Sequence, residues 1–458
     1  MAAVLAAFLI AYGICATLGV DPSAAVLAAV LALTMARKAE PPTWDKTLAR
    51  LISLPLVAVG AGVVGLVLHA SPWIGAALFC GGMFLSIWLR TFGERASMIG
   101  TTIALPLIAI LIVPVHVASG RGRIVDVLLV MAAGVIAVLC TSVAAAFGPR
   151  AEAVRVAPRS KPDDASLPVS TRMALQMLVA LAASFAIGLT LLPAHWPWIV
   201  LTAFIVCSGA VGRGDALYKG LQRLAGAIGG TVLAALVPHV AMPTPTIAAI
   251  VIFAVLFLGM WLRTVDYAYW AVCATLLFAL LQPPQSVAGL ALFGARLECI
   301  LIGAVCAVLA AWFVYPIQTE SIVRLRLATA LGALADLLAS GPGDPERAAK
   351  RARFEHHVRQ LDKVAPPVEL HRRIARADER AEHPATWIET ARTLFAQGRR
   401  LADGSGSAAD LDRVKRAIGA SRLAIRERSG IGATLLQACK HADSESGGGK
   451  PAGRTPPP

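Results

Sequence analysis

The segment FLSIWLRT at residues 84–91 recurs as FLGMWLRT at residues 257–264. The spacing between these two copies, here called the repeat offset, pairs further residues without any gap: Lys46 with Lys219, Arg50 with Arg223, Leu107 with Leu280, and Arg123 with Arg296. Self-similarity at one fixed spacing indicates that two parts of a chain share one architecture. The sequence therefore predicts two structurally equivalent halves.

The composition is that of a membrane protein up to residue 315. The chain is 57% hydrophobic and 15% charged, with a mean hydropathy of +0.68, whereas soluble domains are about 45–50% apolar and about 25% charged. Residues 1–315 hold 18 Lys/Arg and 11 Asp/Glu, but residues 316–458 hold 24 and 17. A charged, aqueous module therefore follows an apolar region. The basic residues are not gathered on one face as nucleic-acid binding requires, so no nucleic acid partner is expected.

Apolar runs close to the roughly 20 residues that cross a bilayer recur along the first 315 residues. They lie at 3–20, 23–36, 50–69, 72–89, 96–116 and 123–147, and again at 172–192, 196–212, 222–240, 245–262, 266–282 and 289–314. Six spans return the chain to its starting side, so the two repeats should be parallel and related by an axis along the membrane normal. The expected fold class is all-α, with about 12 transmembrane helices.

The loop charges predict the orientation. With a cytoplasmic N-terminus, fifteen Lys/Arg of the first 315 residues lie inside, and only Arg121, Arg123 and Arg296 lie outside. This asymmetry follows the positive-inside rule. Both termini are therefore expected in the cytoplasm.

Five regions follow from these patterns. They are a first six-helix transmembrane repeat at 1–148, a cytoplasmic linker at 149–171, a second six-helix repeat at 172–315, a cytoplasmic helical domain at 316–440 and a disordered tail at 441–458. In the fourth region, helical patterns are expected near 346–364, 368–382, 385–402 and 408–428. The tail is Gly/Pro-rich and has too little apolar surface to order itself.

Signatures of enzymes and cofactors are absent from the sequence. Seven of the eight cysteines stand singly in apolar runs, and no Cys/His spacing suits a metal. No P-loop, HExxH or GxSxG motif occurs. We therefore expect no catalytic residues, no metal and no cofactor, and a protein that is not an enzyme.

The second half carries three stretches that resemble a known family. They are ALQMLVALAA at 174–183, HWPWIVLT at 195–202 and YKGLQRLAGAIGGT at 218–231. They are similar to the fusaric acid resistance type of membrane protein, the aromatic acid exporter family, over roughly residues 172–316 and more weakly over 1–150. Long members insert a large soluble domain after each half, whereas this chain has only the linker after its first half. The resemblance implies export of aromatic carboxylic acids or related compounds across the inner membrane.

The repeated Trp-Leu-Arg-Thr motif supplies the candidate substrate-binding residues Arg90, Arg263, Trp88 and Trp261. A guanidinium can hold a carboxylate through two hydrogen bonds, and a nearby indole can stack on an aromatic ring. The alternative is an interfacial belt of Trp and Arg. Asp266 could equally be the neutralising partner of Arg263.

Acidic and basic residues also meet near the expected outer start of the last span of each half. The candidate proton-coupling residues are Glu298, Asp126, Arg296, Arg123 and Asp266. Ionisable groups in membrane helices are costly and suggest function. Glu298, placed within the run 290–314, is the first choice, and a structural ion pair with Arg296 is the alternative.

Two features of the third span have simpler interpretations. Arg50 and Arg223 are expected at its cytoplasmic start, either as topology anchors that reach lipid phosphate or as guides for anionic substrate. Gly226, Gly229 and Gly230 predict close packing of this span against another helix.

The leading hypothesis is a secondary transporter, driven by the proton motive force, that exports small anionic aromatic or amphipathic compounds. The alternative is a non-transporting scaffold for envelope assembly that acts through its cytoplasmic helical domain. Expected partners are the lipid bilayer and the exported molecule, with a homo-oligomer or a periplasmic adaptor as candidate protein partners.

Overall fold

The computed structural model describes residues 2–18, 28–29, 32, 57, 59–112, 121–147, 167–210, 212–236, 245–263, 265–280, 288–316, 319–341, 344–374, 383–404, 407–427 and 429–443. Regular structure in these ranges is helical, without a strand. The chain divides into two compact units, and the described part of the first ends at residue 316 while that of the second begins at 319. The linker and the C-terminal tail predicted from the sequence lie almost wholly outside the described residues.

The first unit contains two sets of helices. The first set is α1 (Ala2–Leu18), α2 (Val59–Ala70), α3 (Pro72–Trp88), a 3₁₀ turn (Leu89–Phe92), α4 (Glu94–Ile112) and α5 (Arg121–Phe147). The second set is α6 (Val169–Leu191), α7 (Trp196–Cys207), α8 (Arg213–Leu236), α9 (Pro245–Leu262), α10 (Tyr267–Leu280) and α11 (Ala288–Phe313).

Several of these helices are apolar over most of their length. Pro72–Phe92, Val169–Leu191 and Gly294–Phe313 are each long and apolar enough to cross a membrane. Shorter apolar helices accompany them, among them Ala3–Cys15, Val59–Ala70 and Val251–Leu262. In helices of this composition the backbone hydrogen bonds are made within the helix, which is what a bilayer interior requires. The first unit is therefore the membrane part of an all-α, multi-pass protein.

The helix boundaries keep the repeat offset of the sequence. Helix α3 begins at Pro72 and α9 begins at Pro245, the position that the offset assigns to it. Helix α4 begins at Glu94 and α10 begins at Tyr267, which are related by the same offset. In both sets the first helix packs on the last, α1 on α5 and α6 on α11. The offset-related pairs α3 with α4 and α9 with α10 also pack on each other.

The two sets also pack against each other in a reciprocal way. Helix α6 packs on α3, where the rings of Phe79 and Phe185 lie 5.5 Å apart and cross at 69°. Helix α1 meets α9 through Phe8 and Phe253, whose rings lie 5.1 Å apart and cross at 71°. Edge-to-face contacts at such distances are a favoured aromatic geometry. The first helix of each set thus packs on the other set at offset-related positions, α6 on α3 and α1 on α9.

The second unit is a bundle of helices around its own core. Its helices are α12 (Thr319–Ala339), α13 (Arg347–Asp362), α14 (Ala365–Ile374), α15 (Pro384–Ala402), α16 (Ala408–Glu427) and α17 (Ile431–Asp443). The central helix α12 packs on α13, α15 and α16. Fully buried side chains include Leu327, Leu331, Phe354 and Phe395. At its surface Arg399 holds Glu355 through two hydrogen bonds of 2.9 and 2.8 Å.

Two helix starts and one additional helix show where the described structure departs most from the sequence prediction. Helix α8 begins at Arg213, whereas the sequence predicted a start near residue 222. The prediction missed the first turns because they are polar and the search was for apolar runs. In these turns Lys219 pairs with Asp215 at 3.0 Å. Helix α14 begins at Ala365 rather than near residue 368, and it includes Pro366 and Pro367, because the first turn of a helix tolerates proline. Helix α17 was not predicted.

Candidate functional site

Arg223 is a buried guanidinium in the interior of α8. The helix starts at Arg213, so Arg223 lies about 15 Å along the axis at 1.5 Å per residue. Only 3% of its surface is exposed, and its Nε has no hydrogen-bond acceptor among the described residues. The prediction of a surface anchor at the start of this span is therefore wrong, because the helix begins well before its apolar stretch.

Arg296 is a second buried guanidinium, on α11. It lies about 12 Å from the first residue of that helix and is 7% exposed. Its guanidinium carbon sits 4.5 Å from the centroid of the Trp198 ring on α7, a cation–π contact. Helices α7 and α11 thus bring one cation and an indole together inside the bundle, and α8, which packs on α11, carries the second buried cation.

Small residues let these helices approach. A Cβ at Gly303 of α11 would collide with the carbonyl oxygen of Ile199 on α7. Gly220 of α8 faces Ala304 and Val308 of α11, with distances of 3.7 and 3.6 Å from an added Cβ. Close helix contacts of this kind are typical of membrane bundles. These glycines therefore set the close spacing of α11 from α7 and of α8 from α11.

The predicted glycine contact of α8 is confirmed. A Cβ at Gly226 would collide with that of Ala271, and a Cβ at Gly230 would lie 2.6 Å from that of Thr275. Both neighbours belong to α10. One face of α8 is thereby held on α10, while the face that carries Gly220 meets α11.

Aromatic side chains border the region at the start of α7. The Trp196 ring lies 5.3 Å from that of Phe185 on α6, and Phe185 in turn contacts Phe79 on α3. Trp198, two residues further along α7, is the ring that contacts Arg296, and it lies on a different side of the helix from Trp196.

The acidic side chains described in the first unit have other partners than Arg223. Asp215 pairs with Lys219 at 3.0 Å, and Glu298 is exposed at the bundle surface. Asp266 accepts hydrogen bonds from Tyr218 at 3.3 Å and Gln222 at 2.6 Å. Among the residues that the structure describes, none of these carboxylates forms an ion pair with Arg223.

The two copies of the repeated Trp-Leu-Arg-Thr motif differ in the contacts and exposure of their side chains. Arg90 is exposed in the 3₁₀ turn, and Trp88 packs between Phe84 and Phe92 at 6.3 and 4.8 Å. Residues two apart on a helix do not face each other, and Trp88 packs on the bundle core while Arg90 points outward.

The second copy of the motif uses a different indole. The guanidinium carbon of Arg263 lies 5.8 Å from the centroid of Trp270 on α10, whereas the side chain of Trp261 is 65% exposed. The Arg–Trp combination suggested by the sequence is therefore present, but with Trp270 as the ring next to Arg263. Asp266 also caps α10 by accepting from the backbone N–H of Ala268 at 2.7 Å.

The acid–base candidates of the last spans are not brought together as expected. Arg296 is buried and Glu298 exposed, because residues two apart on a helix lie on nearly opposite sides. This differs from the expectation that Glu298 is a deep carboxylate beside Arg296. Arg123 and Asp126 lie at the start of α5, but their side chains fall outside the described part of the structure. Within the described residues no group of ligands could hold a metal ion.

A bundle of long and short apolar helices defines the class as a multi-pass membrane protein. Residues 178–310 match the family model described as fusaric acid resistance protein-like. The match runs from within α6 to within α11, so it confirms the resemblance over the helices that carry Arg223 and Arg296. No individual curated protein shows a significant match to the chain.

From the sequence, Arg223 was assigned as a topology anchor or a guide for anionic substrate, and Arg296 as a proton-coupling candidate; neither was expected to be a buried guanidinium. A signal was nevertheless present, because both recur at the repeat offset, as Arg50 with Arg223 and as Arg123 with Arg296. Repeated ionisable residues within apolar spans are more informative than arginines at span ends, where the bilayer interface alone accounts for them.

Proposed function

We propose that the protein exports small amphipathic compounds, aromatic carboxylic acids in particular, across the inner membrane, driven by the proton motive force. The observation that carries this proposal is the match of residues 178–310 to the fusaric acid resistance protein-like model, which coincides with a set of apolar helices. The absence of a P-loop motif from the sequence favours coupling to an ion gradient over direct use of ATP.

The architecture proposed for this function is two parallel six-helix repeats with both termini and the second unit in the cytoplasm. The repeat offset shared by the helix starts at Pro72 and Pro245, and at Glu94 and Tyr267, supports the repeat. The distribution of Lys and Arg supports the orientation. Substrate sites of repeat transporters lie at the interface of their repeats.

Arg90 and Arg263 are proposed to act in the loading of substrate from the cytoplasm. Arg90 is exposed in a turn, and Arg263 lies just after α9, beside Trp270. Each can attract an organic anion through its charge. Trp88 and Trp261 would contact the ring of that anion at the same stage.

Asp266 is the carboxylate that we propose for proton coupling. Its side chain is partly buried and receives hydrogen bonds from Tyr218 and Gln222 of a neighbouring helix. A proton gained by Asp266 would change its bonds to α8, the helix that carries Arg223. Glu298 faces the bundle surface and lacks this connection to α8 in the described structure.

The test is transport by the purified full chain in proteoliposomes. Vesicles with an imposed pH gradient should move radiolabelled benzoate, and a protonophore should abolish the movement. Vesicles without protein supply the background. Benzoate movement at that background, despite correctly inserted protein, would contradict the transporter proposal and favour the scaffold alternative.

A further inference from the structure

We propose that one exposed face of helix α16, in the second unit, binds the anionic headgroups of lipids at the membrane surface. This face, here called the α16 basic face, consists of Lys415, Arg416, Arg422 and Arg426 together with Leu423, all of them exposed. The inference concerns the second unit and goes beyond the proposed transport function.

Helix α16 concentrates positive charge that is otherwise spread along the chain. Between Asp412 and Glu427, the segment RVKRAIGASRLAIR at residues 413–426 contains five basic residues and no acidic one. Arg413 pairs with Asp410 at 3.6 Å. The other four basic side chains are exposed, and none of them forms an ion pair among the residues that the structure describes. The helix therefore presents a net positive surface to solvent.

The phase of the helix gathers these cations on one side. Lys415, Arg422 and Arg426 stand at i, i+7 and i+11, spacings that return to nearly the same side of an α-helix. The opposite side buries Ile418 and Ile425 in the core of the second unit. Helix α16 is thus held by its apolar side, and its row of cations extends outward over about 16 Å along the axis.

The α16 basic face also carries features that suit a lipid surface. Gly419 lies on the same side as Lys415 and Arg422, and a Cβ added to it would meet nothing within 4 Å. Leu423 is 53% exposed although it is apolar. Long cationic side chains can reach headgroup phosphates while an apolar side chain among them enters the membrane interface. Helix α16 contains no aromatic residue that could stack on a nucleic-acid base.

The connection of the second unit to the apolar helices favours lipid as the partner. The last helix of the first unit ends at Phe313, and α12 begins at Thr319. A short tether of this kind keeps the second unit at a high effective concentration relative to the bilayer. Clusters of about four to eight Lys and Arg near a membrane are typical of segments that bind anionic lipid. The four exposed cations of α16 reach that size.

The labelling rate of a cysteine within the face tests this binding. In a background without native cysteines, Gly419→Cys places one thiol beside Lys415 and Arg422. The full chain is reconstituted in nanodiscs of phosphatidylcholine, alone or with about 30% phosphatidylglycerol, and is reacted with an uncharged maleimide. Phosphatidylglycerol should slow the labelling at least about fivefold, and roughly 0.5 M NaCl should remove the difference because salt screens the charges. Equal labelling rates in the two nanodiscs would overturn the proposal.

A second cysteine controls for a general effect of the anionic surface on thiols. Ala339→Cys lies at an exposed position at the end of α12, outside the α16 basic face. Its labelling rate should be the same in both nanodiscs to within about twofold. Slowing of Ala339→Cys to the same extent as Gly419→Cys would show that the α16 basic face is not specifically covered, and would overturn the proposal.

Charge variants assign the protection to the face. The α16 variant combines Lys415→Gln, Arg422→Gln and Arg426→Gln, and it should return the labelling of Gly419→Cys in anionic nanodiscs to within about twofold of the rate in phosphatidylcholine. The matched control makes the same change in net charge at exposed positions on α13 and just after it, Arg353→Gln, Arg359→Gln and Lys363→Gln. The control should remain protected. Loss of protection in both variants would show that total charge rather than this face is responsible, and would refute the assignment.

A milder variant covers the case in which the α16 variant does not fold. Arg422→Glu reverses one exposed charge, and it should raise the labelling rate in anionic nanodiscs at least about fivefold. An unchanged rate in folded Arg422→Glu would contradict the proposal. Binding of duplex DNA or RNA that the α16 variant loses, without any effect of phosphatidylglycerol on labelling, would assign the face to nucleic acid and would overturn it too.

Lipid binding and transport fail separately, because the labelling assay uses neither benzoate nor a pH gradient. Protection of Gly419→Cys by phosphatidylglycerol in a chain that does not move benzoate would support the α16 basic face and contradict only the transporter. Benzoate movement by a chain whose Gly419→Cys thiol is never protected would support the transporter and contradict only the lipid-binding face.

Discussion

At the scale of single residues, position along the sequence is a poor guide to pairing in this protein. The motif Trp-Leu-Arg-Thr suggests that each Arg works with the Trp two residues before it. The structure instead sets Arg263 against Trp270, beyond the following turn, and leaves Trp261 exposed. Residue types and the repeat could be read from the sequence, but side-chain direction depends on the helix phase and on neighbours that are distant in sequence.

Asp266→Asn should abolish pH-driven export without loss of folded protein. The amide oxygen of Asn can still accept from Gln222 and from the backbone of Ala268, which bond Asp266 at 2.6 and 2.7 Å, whereas the amide cannot take up a proton. The measurement is benzoate movement under a pH gradient at matched protein levels.

Glu298→Gln is the matched control for this carboxylate, because Glu298 is exposed at the bundle surface. It should export as wild type does. Export at the wild-type rate in Asp266→Asn would exclude Asp266 from coupling, and loss of export in Glu298→Gln alone would transfer the role to Glu298.

At the scale of elements, the positions and lengths of the apolar runs in the sequence predicted where most described helices lie. Helices α3 and α9 begin at the residues where the apolar runs begin, Pro72 and Pro245. Helix α8 was misplaced because amphipathic turns that pack inside a bundle do not look apolar. The burial of Arg223 depends on those turns, so the same effect hid the candidate site.

Gly226→Ala should destabilise the packing of α8 on α10. The added methyl would collide with the Cβ of Ala271 and lie 2.8 Å from the carbonyl oxygen of Ala268, and such overpacking costs about 1–3 kcal/mol of unfolding free energy. Gly294→Ala, on α11, meets nothing within 4 Å and should be neutral. Thermal unfolding in detergent compares them; equal melting temperatures would show that α8 and α10 are not in close contact.

The start of α13 provides a pH-dependent prediction in the second unit. The hydrogen bond from Lys350, at 2.6 Å, and that from the backbone N–H of Glu346 hold the pKa of Asp344 below its usual range. Because the folded-state pKa is lowered, ionised Asp344 stabilises this turn above about pH 4, and the contribution is lost as the pH falls through the lowered pKa.

Asp344→Asn should therefore reduce hydrogen-exchange protection of peptides from residues 344–362 at pH 7. At a pH below the lowered pKa the variant and the wild type should exchange alike. A difference in protection that is independent of pH would show that the ion pair with Lys350 is not its source.

At the scale of the whole molecule, the sequence repeat anticipated the paired helix boundaries but not how the two sets would meet. A constant repeat offset indicates that the halves are alike, and it does not say which helices cross between them. That arrangement depends on three-dimensional complementarity, such as Phe79 against Phe185 and Phe8 against Phe253.

Cysteine pairs at these aromatic positions test the reciprocal contact. In a background without native cysteines, a short bifunctional reagent should cross-link Phe79→Cys with Phe185→Cys, and Phe8→Cys with Phe253→Cys. Exchanging the partners, as Phe79→Cys with Phe253→Cys, provides the control and should give no product. Cross-linking of only one native pair would contradict the two-fold relation between the halves.

The contact of α1 with α9 also governs biosynthesis. At about 5–20 residues per second, the ribosome needs roughly 12–50 s to cover the about 245 residues between Phe8 and Phe253. During that interval α1 lacks its partner α9, and the side of α1 that carries Phe8 remains open to lipid or to insertion factors. Stalled or truncated chains that stop before α9 should therefore be preferred substrates for membrane quality control.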